Sequence, residues 1–247
     1  MATALALDHV VVAVASLADA VADYRRAGFT VTEGGKHPGR NTANALVVFE
    51  DGSYLELIAY SAPSPEERWW RVLDAAGEGL VDFALLPEDI DAVVAAATQR
   101  GLTELTAVPG ARNRPDGVHI AWRSARQTRH DLPFLCADVS PRVLRVPDGA
   151  ARQHANGALG IGAVQVAVRD VAATLQRYRA LLGPEAVDSE GVVQLRGCHV
   201  TLQADPARGP GQRDEGPCGV TLRFAAGAAG TRIDSALTHG VSFAKAF

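Results

Sequence analysis

Two titratable residues stand where a strand normally carries an apolar side chain. His9 lies in the run LDHVVVAV and Glu56 in the run YLELIAY. A buried carboxylate without a partner costs several kcal/mol or changes its protonation state. Side chains alternate along a strand, so both residues point into the concavity if their strands belong to one small curved sheet. Glu56 is therefore predicted to face a polar partner or a metal. The alternative is a hydrogen-bonded pair within the core.

A loop rich in glycine and proline, GGKHPGRNTAN, leads into the strand that precedes Glu56. Loops on rigid scaffolds often carry binding groups, and His37, Arg40 and Asn44 are predicted to bind substrate. The planar guanidinium of Arg40 suits a carboxylate or a phosphate, and Gly39 lets the backbone approach a ligand. The alternative is that Asn44 and its neighbours satisfy backbone groups of the loop.

The elements that position these residues repeat along the chain. The segment LDHVVVAVASLADAVADYRRAG matches LVDFALLPEDIDAVVAAATQRG and IGAVQVAVRDVAATLQRYRALLG, with Leu17 falling on Ile90 and Val171. Each copy reads as an apolar strand and then a short amphipathic helix. Residues suited to cap these helices precede them: Ser16, Asp89 and Asp170.

After each helix the pattern predicts about three more strands, so the unit is βαβββ. The fold class is α+β, with repeated βαβββ modules whose curved mixed sheets enclose a concave pocket. Pro133 indicates that the last strand of the second copy lies at a sheet edge. The predicted organisation is a domain over 5–137 made of two modules (about 5–62 and 78–137), a linker over 138–157, a third, degenerate module over 158–225, and an unassigned tail over 226–247.

Two arrangements of the pocket stay open at this point. It closes within one chain, copy one against copy two, or across a homodimer through the third copy. The sequence pattern fits both, because a small curved sheet buries its face only against another copy.

Composition excludes several classes of protein. The chain has 247 residues, is 47% hydrophobic and 21% charged, and carries a formal net charge of -4. No basic cluster indicates nucleic-acid binding, and no apolar run approaches the roughly 18 residues that span a bilayer. The three cysteines are widely spaced, without a CxxC pair, and are expected to be buried apolar residues. A cytoplasmic protein that binds a small molecule is the expectation.

The strand-helix repeat, with His9 on its first strand and Glu56 on its last, resembles the vicinal oxygen chelate superfamily. That superfamily includes glyoxalases, extradiol dioxygenases and fosfomycin-resistance enzymes. The string KHPGRNTANALVVFEDGSYLELIA, with LDHVVVAV before it, is similar to the glyoxalase-like domain branch. The resemblance covers residues 5–137 well and the third copy loosely. It implies the fold more strongly than the activity, because this scaffold hosts many reactions.

The resemblance implies a divalent metal held by a first-strand His and a last-strand Glu from one module and by a similar pair from a second. His9 and Glu56 match the first pair, and Asp82 falls on the position of His9 in the second copy. His9, Glu56 and Asp82 are thus the predicted metal ligands. Against Asp82 stands the alternative that it caps a turn. The remaining matched positions carry other residues, which are Phe134 in the second copy and Ala163 and Thr201 in the third.

One His with two carboxylates suits Mn²⁺, Fe²⁺ or Mg²⁺ better than a thiolate-seeking ion. The residue types do not distinguish these metals from zinc or nickel. His119 and His130 are further donors that the repeat does not match. Trp69 and Trp70 are expected to cover a core edge or a subunit interface.

Two functions follow as expectations. The first is a metal-dependent enzyme in which Glu56 and His9 are catalytic, with lyase or isomerase chemistry favoured over dioxygenase chemistry. The second is a non-catalytic protein that binds or sequesters a small molecule, which Ala163 and Thr201 favour.

Overall fold

Two β-sheets organise the computed structural model, which describes residues 5–205, 207, 214–227 and 233–246. The first sheet and its helices comprise β1 (Ala6–Val14), α1 (Leu17–Arg26), β2 (Thr32–Lys36), β3 (Thr42–Val48), β4 (Tyr54–Tyr60), α2 (Arg68–Ala76), β5 (Gly79–Leu86), α3 (Ile90–Gln99), β6 (Thr106–Asn113), β7 (His119–Arg126) and β8 (Phe134–Asp138). Mixed sheets with few helices confirm the predicted α+β class.

The first sheet closes into a barrel with the strand order β1-β4-β3-β2-β6-β7-β8-β5. Within each half the first strand pairs in parallel with the last, β1 with β4 and β5 with β8. The halves meet where β1 runs antiparallel to β5 and where Lys36 of β2 pairs with Asn113 of β6. The interior therefore closes within one chain, copy one against copy two, and needs no second chain.

Alternation along β1 separates the outer face of the barrel from its interior. Val10 and Val12 pack outward in one cluster with Tyr24 of α1 and Ile90 of α3. Val11 belongs to a second cluster, which includes residues of β4, β5, β8 and α2. Successive side chains of a strand point to opposite faces, which separates the two clusters. Because helices cover the outside of the barrel, both faces of the strand are buried and both carry apolar residues.

The helices begin where the sequence predicts. Ser16, Asp89 and Asp170 each accept a hydrogen bond from a backbone N–H in the first turn of the helix that follows. These side chains satisfy donors that the helix itself leaves without a partner.

The prediction that Pro133 marks a sheet edge is wrong. β8 starts at Phe134 and lies between β7 and β5 in the closed barrel. Pro133 precedes the strand, so its missing N–H removes no hydrogen bond from the ladder.

The second sheet has the strand order β10-β11-β9-β12-β13. Its elements are β9 (Ala158–Val168), α5 (Val171–Leu182), β10 (Val193–Leu195), β11 (Cys198–Ala204), β12 (Gly216–Phe224) and β13 (Phe243–Ala246). β9 pairs in parallel with β11 and antiparallel with β12, which repeats the pairing of β1 with β4 and β5. Strand β13 belongs to the predicted tail and pairs in parallel with β12.

The segment predicted as a linker, 138–157, is partly helical. It contains α4 (Arg142–Arg145) and a 3₁₀ helix at Gly149–Arg152. Arg145 is buried against the barrel, so this segment contributes to the core as well as to the connection. We propose the domain bounds given above on the basis of the sequence repeat.

No helix in the described parts of the chain is long and apolar enough to cross a membrane.

Candidate functional site

The barrel encloses a cavity of about 250 Å³. Its lining includes, from the first half of the barrel, His9, His37, Arg40, Asn44, Tyr54 and Glu56. The second half and the helices add Trp69, Arg112, Trp122, Ser124, Arg126, Phe134, Cys136 and Arg145. The lining thus contains many charged and aromatic side chains, whereas a purely structural barrel would fill its interior with aliphatic groups.

His9 and Glu56 lie side by side in this cavity, as their positions on β1 and β4 predict. The two strands are parallel neighbours, and His9 Nε2 lies 3.4 Å from Glu56 Oε2. Both residues are buried. The His9 ring stacks on Tyr54 with 4.6 Å between ring centroids. The partner that Glu56 needs is therefore the imidazole.

Asp8 holds the other side of the imidazole. His9 Nδ1 lies 2.7 Å from Asp8 Oδ2. Arg142 donates to Asp8 Oδ1 and Arg145 to both oxygens, at 2.7 to 3.2 Å. Burial raises the pKa of Asp8, but the charges of Arg145, His9 and Arg142 outweigh it and hold that pKa well below its usual range. Asp8 is therefore a buried anion with fixed partners.

These carboxylates stabilise the charged form of His9. Burial lowers the pKa of the imidazole, but hydrogen bonds to Asp8 and Glu56 raise it more, so the net shift is upward. A protonated ring donates one N–H to each carboxylate.

A chain of hydrogen bonds connects Glu56 with Arg112. Asn44 Nδ2 donates to Glu56 Oε1 at 2.6 Å, and Arg112 donates to Asn44 Oδ1 at 3.0 Å. Burial raises the pKa of Glu56, but the hydrogen bond and charge of His9, the charge of His37 and the Asn44 amide together lower it to about 2. Asn44 therefore contacts the functional carboxylate directly.

His37 and Arg40 lie at the rim of the cavity. His37 Nδ1 is 2.9 Å from Thr42 Oγ1, and burial is the main cause of the lowered pKa of this ring. The Arg40 side chain is 53% exposed, and its guanidinium lies 3.7 Å from Glu67. Arg40 is thus at the solvent-facing side of the site, away from the buried pair.

The structure does not bring Asp82 to the predicted metal site. Trp69 Nε1 donates to Asp82 Oδ2 at 2.9 Å, the Phe83 N–H donates to Oδ1, and Arg68 forms an ion pair with the carboxylate at 3.2 Å. Helix α2 places Trp69 against the inner side of β1 and β5. Trp69 and Arg68 contact Oδ2 of Asp82 and the Phe83 N–H contacts Oδ1, so both oxygens have partners.

The second pair of metal-binding positions is therefore incomplete. Glu56 on β4 lies opposite Val11 of β1, and Phe134 on β8 lies opposite Ala84 of β5. This register confirms Phe134 as the counterpart of Glu56. A phenyl ring cannot bind a metal ion.

The residues present do not fit a divalent metal. Among the described residues, no group of three His, Cys, Asp or Glu side chains is placed to hold one. His9 and Glu56 supply two ligands of such a set, but Asp82 has other partners and Phe134 stands at the counterpart of Glu56. His119 and His130 contact Asn113 and Asp214 instead of the cavity.

Several residues that the sequence analysis did not assign to the site line the cavity, Arg126, Trp69 and Phe134 among them. The guanidinium carbon of Arg126 lies 4.4 Å from the centroid of the Trp69 ring and 4.5 Å from that of Phe134. Trp69 packs in the second core cluster, as expected of a residue that covers the core, and it also lines the cavity. The one available signal was the period-two alternation of Trp122, Ser124 and Arg126 along β7.

The thiol of Cys136 also lines the cavity. Burial raises its pKa to about 12, so the thiol stays protonated and unreactive. Cys198 is buried as well, and burial likewise raises its pKa to about 12. Both fit the expectation of apolar cysteines, whereas Cys218 is partly exposed.

The chain matches one protein-family model and several solved structures. A family model described as a glyoxalase-like domain matches residues 7–182. No curated protein sequence matches the chain. A hypothetical protein from Staphylococcus aureus is 14% identical with a TM-score of 0.67, and the match covers 90% of this chain and 92% of that one.

Two further solved structures have the same fold. A mutant of 4-hydroxymandelate synthase from Streptomyces coelicolor is 16% identical with a TM-score of 0.60, covering 93% of this chain and 74% of that one. A fusion protein of a xylose isomerase-like TIM barrel and 4-hydroxyphenylpyruvate dioxygenase is 14% identical with a TM-score of 0.52, covering 90% and 36%. At these identities the likeness shows the fold alone.

Proposed function

We propose that this chain, which belongs to the glyoxalase-like domain family, binds a small polar organic molecule inside its barrel, against His9 and Glu56. One observation carries the proposal: the cavity of about 250 Å³ is lined by the buried His9 imidazole and Glu56 carboxylate, with 3.4 Å between Nε2 and Oε2. Enclosed cavities with a few convergent polar groups are the usual form of small-molecule sites.

The pair is suited to hold and polarise a ligand. The Glu56 carboxylate accepts hydrogen bonds from ligand hydroxyl or amide groups, and the His9 imidazolium places positive charge beside a ligand oxygen. The pair is poorly suited to proton transfer. A carboxylate with a pKa of about 2 is a weak base near neutral pH, and an imidazolium with a raised pKa is a weak acid.

His37, Arg40 and Asn44 have different parts in this proposal. Asn44 orients Glu56 through the hydrogen bond to Oε1. His37 and Arg40 line the rim, where Arg40 attracts an anionic ligand without binding it tightly, because its exposed charge is screened by salt. A homodimer is compatible with the proposal, but the cavity does not require one.

The second candidate is the metal-dependent lyase or isomerase expected from the sequence. The contact between His9 and Glu56 favours it, because those two side chains match one half of the ligand set. The engagement of Asp82 by Trp69 and the presence of Phe134 oppose it.

Two experiments separate these candidates. The first screens small polar organic molecules by saturation-transfer NMR against the wild type, Glu56→Gln and the matched control Glu50→Gln, whose side chain is exposed outside the barrel. Loss of charge-assisted hydrogen bonds in E56Q should weaken binding about tenfold, and E50Q should bind like the wild type. Equal binding to all three proteins would place the ligands elsewhere.

The second experiment titrates Mn²⁺ and Zn²⁺ into the same three proteins by calorimetry. The binding proposal predicts no tight stoichiometric uptake by any of them. Uptake by the wild type and E50Q that is lost in E56Q would establish the metal-dependent candidate instead.

A further inference from the structure

Arg126 is a cation inside the barrel that packs against two aromatic rings and has no polar partner among the described residues. Its guanidinium carbon lies over the rings of Trp69 and Phe134, at 4.4 and 4.5 Å from their centroids. The side chain projects from β7 into the cavity beside Trp122 and Ser124. Aromatic stacking fixes the plane of a guanidinium and reduces its side-chain entropy.

The other guanidinium groups around the cavity already have acceptors. Arg145 forms ion pairs with Asp8 and Asp138, and Arg40 forms one with Glu67. Arg112 donates to the Asn44 amide and to the carbonyl of Arg145.

Arg126 differs from these three. Within the part of the chain that the structure describes, neither a hydrogen-bond acceptor nor a carboxylate lies within bonding distance of its guanidinium. The contacts with the two rings use no N–H···O bond, so the N–H groups of Arg126 remain able to donate. A partly buried charge with unused donors gains most from an anionic ligand that satisfies them together.

We propose that Arg126 binds the carboxylate of a small monoanionic ligand, an inference that rests on the proposed function above. A planar guanidinium that packs against two aromatic rings matches a planar carboxylate through two parallel N–H···O bonds. A single unpartnered cation suits one negative charge better than the two charges of a phosphate monoester.

The same contacts indicate where the rest of the ligand lies. The ring of Phe134 packs edge-to-face against His9, with 5.3 Å between centroids, so it separates Arg126 from the His9–Glu56 pair by one aromatic ring. A ligand anchored at Arg126 would cross Phe134 with an apolar segment and present a polar group to Glu56. The cavity of about 250 Å³ limits this molecule to less than drug size.

Arg126 also places a positive charge beside Phe134, the position at which the predicted set of metal ligands is incomplete. Phe134 occupies the counterpart of Glu56, and Arg126 stacks on it. The guanidinium takes over electrostatic attraction of ligand oxygens there without any metal ligand.

The test compares carboxylates with uncharged molecules of the same shape. Benzoate, benzamide, hexanoate and hexanamide are titrated by calorimetry into the wild type, Arg126→Gln, Arg126→Lys and the control Arg123→Gln. Arg123 lies on the same strand, but its guanidinium pairs with Asp91 at the surface. Thermal melting checks that each variant folds.

The proposal predicts that the wild type binds a carboxylate at least about tenfold tighter than the matching amide. R126Q should lose this preference and R123Q should keep it. R126K retains the charge but not the planar fork, so it should bind the carboxylate several-fold more weakly than the wild type does. If R126Q does not fold, the proposal is tested by comparing carboxylate binding by R126K with that by the wild type.

The outcomes separate this inference from the function on which it rests. Amides that bind as tightly as carboxylates, or a preference that R126Q retains, would overturn the role of Arg126 while leaving small-molecule binding intact. A protein that binds neither class would overturn both. If R126K bound the carboxylate as tightly as the wild type, the planar guanidinium would not be needed, and bidentate binding by Arg126 would be wrong.

Discussion

His9 and Glu56 face each other across two parallel strands of the barrel, with Nε2 of the imidazole 3.4 Å from Oε2 of the carboxylate. Asp8 lies on the opposite side of the ring at 2.7 Å. The imidazole is thus held between two anions inside the protein. This arrangement explains how a strand that is otherwise apolar accommodates Glu56, and it determines how the site responds to pH and to substitution.

Replacing Glu56 by glutamine should lower the pKa of His9. Glu56 contributes a hydrogen bond and a charge that favour the imidazolium, and the substitution removes the charge. The His9 ring is followed by NMR as pH is varied in the wild type, E56Q and the control E50Q. A His9 pKa that is identical in all three proteins would show that Glu56 does not stabilise the charged ring.

The stability of the protein should decrease in acid partly because of Glu56. Its pKa is about 2 in the folded protein against an ordinary value of 4.5, so the folded state binds fewer protons between these values. The stabilisation is present above about pH 4.5 and is lost as pH falls towards 2; it amounts to on the order of 3 kcal/mol.

Denaturant unfolding at several pH values measures this contribution. The difference in free energy of unfolding between the wild type and E56Q should shrink between about pH 5 and about pH 3. A difference that stays constant over that interval would mean that Glu56 is not ionised in the folded protein at low pH.

Asn44→Ala should destabilise the protein by about 1–3 kcal/mol, because it leaves the buried Glu56 oxygen and an Arg112 N–H without their partner. Asn41→Ala is the control, since Asn41 is exposed and makes one long hydrogen bond to Ser64. The free energies of unfolding are compared at neutral pH. Equal losses for the two variants would contradict the hydrogen-bond chain through Asn44.

Arg145→Met should be more damaging, at about 3–5 kcal/mol, because it leaves Asp8 with less compensation for its buried charge. The matched control is Arg26→Gln, whose side chain is 69% exposed and pairs with Asp23 at the surface. Denaturant unfolding gives both values. A loss below 1 kcal/mol in R145M, the typical upper value for a surface pair, would show that the Asp8 network is not essential.

The sequence predicts the parts of the site that depend on local periodicity. His9 and Glu56 lie on the first and last strands of one repeat, and period-two alternation was enough to place both in the interior. Asp8 was missed because the pairing of β1 with β5 shifts between Leu7 and His9. That irregularity lets two successive side chains, Asp8 and His9, contact each other, which regular alternation excludes.

Other parts of the site depend on contacts between distant segments. Arg126 meets Trp69 only because α2 packs against the inside of the barrel, and no local pattern of either segment encodes that contact. At Asp82, contacts between distant segments overrule what the local pattern predicts. Its repeat position matches a metal ligand, but Trp69 and Arg68 occupy its carboxylate in the folded protein.

The most direct test of the account is a crystal structure of the purified protein soaked with the small carboxylates and amides used above. We expect electron density for an organic molecule inside the barrel, within about 3 Å of Glu56 or His9, the distance of a hydrogen bond. Density confined to the outer surface, with the barrel interior holding only water, would contradict it.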